Sequence, residues 1–227
     1  MQELLLSLTV FILFHLIPAI GPVRTRLISA VGKPGYIIGY SALSIAVLVW
    51  VSLAYGRADS DLVWVQQPWM RWVPIVALYF ACVLLVGALT HPNPLSVGVK
   101  AAKFEPSQPG VVAITRHPLI WSFILWAGSH IVPNGDSASL VFFGLFLVLG
   151  LVGPKSLDIK QRRQLGEEEW LKLSGPTSNI PFLAILQRRT KFDWCNMLMV
   201  PGLGGLTLYC ILFGAHTLVI GVSPFPQ

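Results

Sequence analysis

Charged residues are scarce in this chain. Only 11% of its 227 residues are Asp, Glu, Lys or Arg, against about 25% in a soluble domain, whereas 54% are hydrophobic. Together with repeated apolar runs close to the roughly 20 residues that cross a bilayer, this deficit excludes an ordinary soluble protein. We therefore predict an all-α, polytopic integral membrane protein. About six transmembrane helices would form one bundle and a single domain over residues 1–227.

Cysteine and acidic ligands are also rare. The three cysteines, Cys82, Cys195 and Cys210, form no CxxC pair, which disfavours a disulfide framework and a thiolate zinc site. The apolar segments carry almost no Asp or Glu, whereas zinc requires three or four protein ligands. Any metal chemistry within the membrane must therefore depend on histidine.

Turn residues separate six apolar segments. Gly32-Lys33-Pro34-Gly35 predicts a break before the second segment, and Pro92-Asn93-Pro94 ends the third. Asn134-Gly135-Asp136 predicts a very short turn in which Gly135 can adopt a positive φ. The predicted helices are residues 3–21, 36–56, 72–90, 117–133, 138–154 and 198–220.

The net charge of +6 comes from basic residues that fall between the apolar segments, a distribution that argues against nucleic-acid binding. Fourteen of the sixteen Lys and Arg residues, Lys100 and Lys103 among them, occupy the first, third and fifth loops, which leaves Arg57 and Arg71 opposite. The positive-inside rule then predicts that both termini are periplasmic. Residues 156–174 mix basic, acidic and apolar side chains and predict an interfacial helix.

Two histidines lie within apolar segments. His15 is in the uncharged run 4–20, and His130 is in residues 119–132. An ionisable imidazole in hydrocarbon is costly and usually has a partner or a ligand. Counted along the helix axis from Arg24 and Arg116 at the cytoplasmic boundary, His15 and His130 lie about 13 Å and 21 Å deep. This difference in depth is small enough for both imidazoles to reach a shared ligand.

The reach of the two imidazoles suits a planar cofactor held between axial nitrogens, as in a bis-histidine haem. A core histidine that is satisfied by a hydrogen bond to a neighbouring helix is the alternative for both residues. Arg116 and His117 stand at the membrane boundary just before Pro118. They predict either an interfacial anchor or a contact to a cofactor carboxylate, because a guanidinium pairs well with that group.

Several motifs resemble one known family. They are Thr115-Arg116-His117-Pro118-Leu119, Trp126-Ala127, His130, Asn134-Gly135-Asp136, Arg162-Arg163-Gln164-Leu165-Gly166-Glu167 and Thr177-Ser178-Asn179-Ile180-Pro181-Phe182. In this order they resemble the NnrU family over nearly the whole chain. That family includes bacterial membrane proteins associated with nitrite and nitric oxide metabolism, and the plant 15-cis-ζ-carotene isomerases.

The resemblance implies haem b as cofactor, with His15 and His130 matching the two histidines that bind its iron in the isomerases. It implies redox-gated cis–trans isomerisation of a hydrophobic polyene, or a role in nitrogen-oxide (denitrification) metabolism. The expected partners are the lipid bilayer, a hydrophobic small molecule or a small gas, and a membrane redox protein. The expected location is the bacterial inner membrane. Leu16 and Ala127 stand where the isomerases carry Ser and Cys, so no thiolate is present beside the second histidine.

A second resemblance leads to a different class of protein. Arg116-His117-Pro118, followed by the small residue Ser122, is similar to a motif of integral-membrane methyltransferases that bind S-adenosylmethionine. Gly166-Glu167-Glu168 is similar to a stretch that follows in those enzymes. A non-enzymatic assembly factor for a respiratory or denitrification complex is a third alternative.

Overall fold

Helices make up the regular secondary structure of the computed structural model, which describes residues 1–97 and 104–226. No strand occurs in these residues. Lys100 and Lys103 lie outside them. The α-helices are α1 Gln2–Leu16, α2 Gly21–Gly56, α3 Trp72–Thr90, α4 Pro118–Ile131, α5 Ser137–Leu165, α6 Glu167–Ser174, α7 Leu183–Leu186, α8 Trp194–Met197 and α9 Gly204–Ile220.

The expected six spans are too many. Four helical stretches in the described residues are long and apolar enough to cross a membrane, namely Gly21–Gly56, Pro68–Thr90, Ser137–Leu165 and Met199–Ile220. α1 and α4 are apolar too, but they contain 15 and 14 residues. Helices of that length rise only about 21–23 Å, less than the roughly 30 Å of a hydrocarbon core. The long apolar helices indicate a lipid bilayer environment.

The predicted break at Gly32 is a kink within one long helix. Gly32 has φ 73° and ψ 162°, a conformation outside the helical region that glycine adopts without steric cost. Helix continues on both sides of it from Gly21 to Gly56, so the basic segment predicted as a first loop is helical. Pro34 falls in the first turn after the kink, where its missing N–H costs little.

The fifth helix is longer than predicted. It continues through Pro154 to Leu165, eleven residues beyond the expected end. α6 follows directly, with Trp170 and Leu173 buried against Leu95. The segment predicted as a single interfacial helix is therefore the end of α5 plus a short helix that packs onto protein.

The contacts divide the chain into two units, and each is described by itself. The first comprises residues 1–65 and 135–142; the second comprises residues 66–134 and 143–227. The expected single domain thus stays a prediction. In the first unit α1 packs on α2, with Leu4 and Leu8 buried. In the second, α3 packs against α4 and α9.

A tight turn precedes α5, as the sequence predicted, but for a different reason. The carbonyl oxygen of Gly135 accepts hydrogen bonds from the backbone N–H groups of Val63 (2.7 Å) and Trp64 (3.0 Å). A Cβ on Gly135 would overlap the carbonyl oxygen and the ring of Trp64. Gly135 does not have a positive φ. Close backbone approach, and not an unusual backbone angle, is what requires glycine here.

Candidate functional site

His15 belongs to the last turn of α1. Its Nδ1 lies 2.7 Å from the carbonyl oxygen of Phe11, one turn earlier. A carbonyl oxygen can only accept, so Nδ1 is the donor and Nε2 is the ring nitrogen left for another partner. The ring is surrounded by aromatic side chains of its own unit, with centroid distances of 4.2 Å to Phe11, 5.9 Å to Phe14 and 6.0 Å to Tyr40.

His130 repeats this arrangement in the last turn of α4. Its Nδ1 donates to the carbonyl oxygen of Trp126 at 2.8 Å, which again leaves Nε2 for another partner. The imidazole stacks on Phe143 with centroids 5.2 Å apart and an interplanar angle of 23°. Both histidines thus bond to their own helix, and not to a neighbouring helix as the alternative interpretation expected.

The other three imidazoles, all within the described residues, differ in how their nitrogens are used. His117 has both nitrogens bonded, and its side chain is fully buried. His216 donates from Nδ1 to the carbonyl oxygen of Val222 at 2.8 Å, beyond the end of α9. His91 places Nδ1 3.1 Å from the Thr90 hydroxyl. His117 is therefore poorly suited to bind a metal, whereas His216 resembles His15 and His130 in its free Nε2.

His15 and His130 belong to different units, so their pairing stays a prediction. The depth estimate for His15 was wrong in one respect. It assumed a continuous helix to Arg24, but α1 ends at Leu16 and a short 3-10 helix with Pro18 intervenes. A rise of 1.5 Å per residue applies only within one α-helix.

Arg116 is the centre of a buried polar cluster in the second unit. Its Nη1 donates to Asp158 Oδ2 at 2.6 Å, and its Nε donates to the Thr177 hydroxyl at 2.9 Å. Nη2 lies 3.3 Å from the carbonyl oxygen of Ser174, and the guanidinium stands 5.0 Å over the ring of Trp170. Burial lowers the pKa of Arg116, and the Asp158 carboxylate opposes that shift.

His117 binds the same carboxylate from the other side. Its Nε2 lies 3.0 Å from Asp158 Oδ1, and its Nδ1 lies 2.7 Å from the Ser96 hydroxyl. Asn179 adds a third contact to Asp158, from Nδ2 to Oδ2 at 2.6 Å. The cluster therefore ties the start of α4, the end of α5 and the segment after α6 together.

Sequence reasoning missed the acidic member of this cluster. Asp158 follows 21 residues of α5 whose only charge is Lys155, inside a stretch predicted as an interfacial helix. One signal was present. Arg116 is a cation at the start of an apolar helix, with the polar His117 beside it, and a buried cation requires an anion. The role of Arg116 and His117 in cofactor binding stays a prediction, because their side-chain donors bond to protein groups in the structure.

The donor chemistry at His15 and His130 fits a haem iron. Haem needs one or two axial ligands, and neutral imidazole whose other nitrogen bonds a backbone carbonyl is a common form of that ligand. Aromatic rings flank both imidazoles and suit a flat hydrophobic macrocycle. The described residues contain no group of three or more His, Cys, Asp or Glu side chains placed to hold a bare metal ion.

The comparisons with known proteins identify the family. No curated protein and no solved structure matches the chain significantly. A family model described as NnrU protein matches residues 3–224, nearly the whole chain. The chain belongs to the NnrU family.

Proposed function

We propose that this NnrU protein is a membrane protein that binds haem b, with His15 and His130 as the axial ligands. One observation supports this most directly. Each of these histidines lies on an apolar helix and donates from Nδ1 to the carbonyl oxygen four residues earlier, so Nε2 is the nitrogen left to bind an iron. Such an outer hydrogen bond fixes the ring orientation and raises the basicity of the ligand nitrogen.

Haem held by these two histidines would supply one-electron redox chemistry and a coordination position for a substrate. The protein's part is to hold the two imidazoles, exclude water with the surrounding aromatic side chains, and keep the ring tautomer fixed. The substrate that suits this setting is a hydrophobic polyene undergoing cis–trans isomerisation, or a small nitrogen-oxide gas. Both partition into apolar surroundings, and a membrane redox partner supplies the electron.

Arg116 and His117 take a different role in this proposal. The guanidinium nitrogens contact Asp158, Thr177 and Ser174, and both imidazole nitrogens of His117 are bonded. We assign the pair to holding the second unit together. These contacts to protein groups already occupy the side-chain nitrogens of Arg116 and His117. They give no support to the S-adenosylmethionine alternative, because a nucleotide would have to displace them.

We place the protein in the bacterial inner membrane as a multi-pass protein with both termini in the periplasm. An even number of crossings puts the termini on one side. The basic segment between α5 and α9, which includes Arg188, Arg189 and Lys191, then faces the cytoplasm, where positive charge accumulates.

Haem content tests the proposal. Protein purified in detergent from haem-replete cells is expected to carry about one haem per chain. His15→Ala and His130→Ala should each lower that content strongly, whereas His216→Ala should leave it unchanged. His216 is a demanding control, because it shares the Nδ1–carbonyl bond and lies close enough to His130 to interact with it electrostatically. Haem lost equally in all three variants, or haem absent from the wild type, would refute the assignment.

A further inference from the structure

A serine, a histidine and an aspartate form a hydrogen-bonded chain in the second unit. The Ser96 hydroxyl oxygen lies 2.7 Å from His117 Nδ1, and His117 Nε2 lies 3.0 Å from Asp158 Oδ1. The fold brings them together from the segment after α3, the residue before α4 and the last third of α5. A hydroxyl within hydrogen-bond reach of a base that a third group orients is the geometry of an activated serine nucleophile.

The aspartate decides which nitrogen of His117 is left for the serine. Asp158 pairs with the Arg116 guanidinium and, as a carboxylate, can only accept, so His117 Nε2 donates to it. In a neutral imidazole the other nitrogen is an acceptor, so Nδ1 is the atom that can take the Ser96 proton. The two ring nitrogens exchange the places they have in the usual triad, in which Nε2 faces the serine, but each role is filled.

The bond that the Ser96 hydroxyl makes separates it from other serines. The hydroxyls of Ser7, Ser122 and Ser129 donate to backbone carbonyls one turn earlier in their helices, and such a bond provides no base. The Ser96 hydroxyl is bonded to an imidazole instead. Ser96 is half-buried and the His117 side chain is fully buried, so the base is shielded from water.

The position of the chain along the helices indicates the class of substrate. Ser96 follows the end of α3 at Thr90 by six residues, and the stretch Pro68–Thr90 is long and apolar enough to cross a membrane. His117 directly precedes α4. Groups just beyond the end of a membrane-crossing helix lie in the interfacial region, where the ester groups of membrane lipids also lie.

We propose that Ser96 is the nucleophile of an acyl-transfer site that hydrolyses a carboxylic ester of a lipid. Ser96 Oγ bonds to the ester carbonyl carbon and gives its proton to His117 Nδ1. The ester C–O bond then breaks, and the leaving alcohol takes that proton. Water attacks the acyl-serine and gives a proton to His117, which returns it to Ser96 Oγ as the carboxylic acid leaves. Asp158 positions the ring, in addition to holding the second unit together.

An alkyl fluorophosphonate, which reacts with activated serines, tests the nucleophile on the detergent-purified full-length chain. The wild type should take up the label, and mass mapping should place it on Ser96, a result that needs no variant. Ser96→Ala should abolish labelling. Ser29→Ala is the matched control, because it removes an exposed hydroxyl that donates to a backbone carbonyl, and it should label like the wild type. Asp158→Asn should slow the labelling of folded protein about a hundredfold, the low end of what a positioned base contributes.

Two esters with the same leaving group test the substrate. The wild type should cleave p-nitrophenyl palmitate faster than p-nitrophenyl acetate, and Ser96→Ala should cleave neither above background. A wild type that takes no label, or a label that stays in Ser96→Ala, overturns the proposal, because a serine that only satisfies His117 would not react. Labelling without cleavage of either ester overturns the reaction, and faster cleavage of the acetate overturns the lipid class. These outcomes are independent of haem content, because the three residues belong to the second unit and exclude His15 and His130.

Discussion

Arg116 and Asp158 form a short, largely buried ion pair, with 2.6 Å between Nη1 and Oδ2 and side-chain exposures of 12% and 15%. The pair joins the loop before α4 to the last third of α5. His117 contacts the second oxygen of the same carboxylate. The conspicuous Arg116-His117-Pro118 motif is thus one half of a structural clamp whose other half is Asp158.

Removing one member of the clamp should destabilise the protein. Arg116→Ala leaves the Asp158 carboxylate without its main partner, and breaking a buried pair in this way costs about 3–5 kcal/mol. The melting temperature in detergent should therefore fall clearly. Arg162→Ala is the matched control, because the Arg162–Glu167 pair is exposed, and exposed ion pairs contribute little to stability.

The spectrum of any haem that Arg116→Ala retains should match the wild type, since Arg116 holds Asp158 and not the iron in this account. Equal melting shifts in Arg116→Ala and Arg162→Ala would show that the clamp does not stabilise the fold. A changed haem spectrum in Arg116→Ala would return that residue to the cofactor site.

The close approach at Gly135 predicts a sharp intolerance of side chains. Gly135→Ala places a methyl group against the carbonyl oxygen and ring of Trp64, and relieving such overlap costs about 1–3 kcal/mol. Gly144→Ala meets nothing within 4 Å inside α5, so it should be neutral or slightly stabilising. Thermal unfolding of the two variants compares them directly. A Gly135→Ala protein as stable as Gly144→Ala would contradict the packing of this turn.

Asp136 caps α5 and should make stability depend on acid pH. Burial alone would raise its pKa, but hydrogen bonds from the Ser139 amide (2.9 Å) and hydroxyl (2.6 Å) lower the pKa overall. A carboxyl with a lowered folded-state pKa stabilises the fold above its unfolded value of 3.8, and the contribution is lost as pH falls through the folded value.

Asp136→Ala should therefore reduce stability at pH 7 by about 1 kcal/mol, the usual worth of an N-cap. The difference from wild type should shrink below about pH 4. Asp59→Ala, at an exposed position, is the control and should have little effect at any pH. A difference that stays constant from pH 7 to pH 3 would mean that the Asp136 charge is not what stabilises the cap.

The proposed orientation predicts the accessibility of three positions. Tags at the two termini should both be labelled from the periplasm, whereas a reporter inserted after Gln187 should be active only in the cytoplasm. Four crossings and six crossings agree on these outcomes, because both numbers are even. Termini on opposite sides of the membrane would require an odd number of crossings and a different assignment of α1 or α4.

Hydrophobic patterning predicts this chain well where one helix is apolar throughout. The bounds predicted for α3, residues 72–90, match the structure. The same patterning predicts a helix break at Gly32 and a helix end at Pro154, and both predictions are wrong. Packing and the neighbouring backbone decide whether a helix continues through glycine or proline, and the local sequence does not encode them. The lengths of α1 and α4 are shortened by Pro18 and by the turn at residues 132–136.

The sequence identified Arg116 and His117 as unusual, but it did not identify their partners. Asp158 and Asn179 lie 42 and 63 residues away from Arg116 along the chain, and only the folded second unit brings them together. The histidines are the reverse case. Their residue type and apolar setting were visible in the sequence, whereas the Nδ1–carbonyl bonds of His15 and His130, which suit the proposed ligand role, required the structure.

The most direct test of the central claim is the absorption spectrum of the His130→Gly protein, oxidised and reduced, before and after addition of free imidazole. The wild type should show the low-spin spectrum of a bis-imidazole haem b in both states. His130→Gly should lose that spectrum, and imidazole should restore it by filling the vacated ligand position. His216→Gly should remain low-spin without imidazole. A wild-type protein with no haem absorption, or a His130→Gly spectrum identical to wild type, would contradict the account.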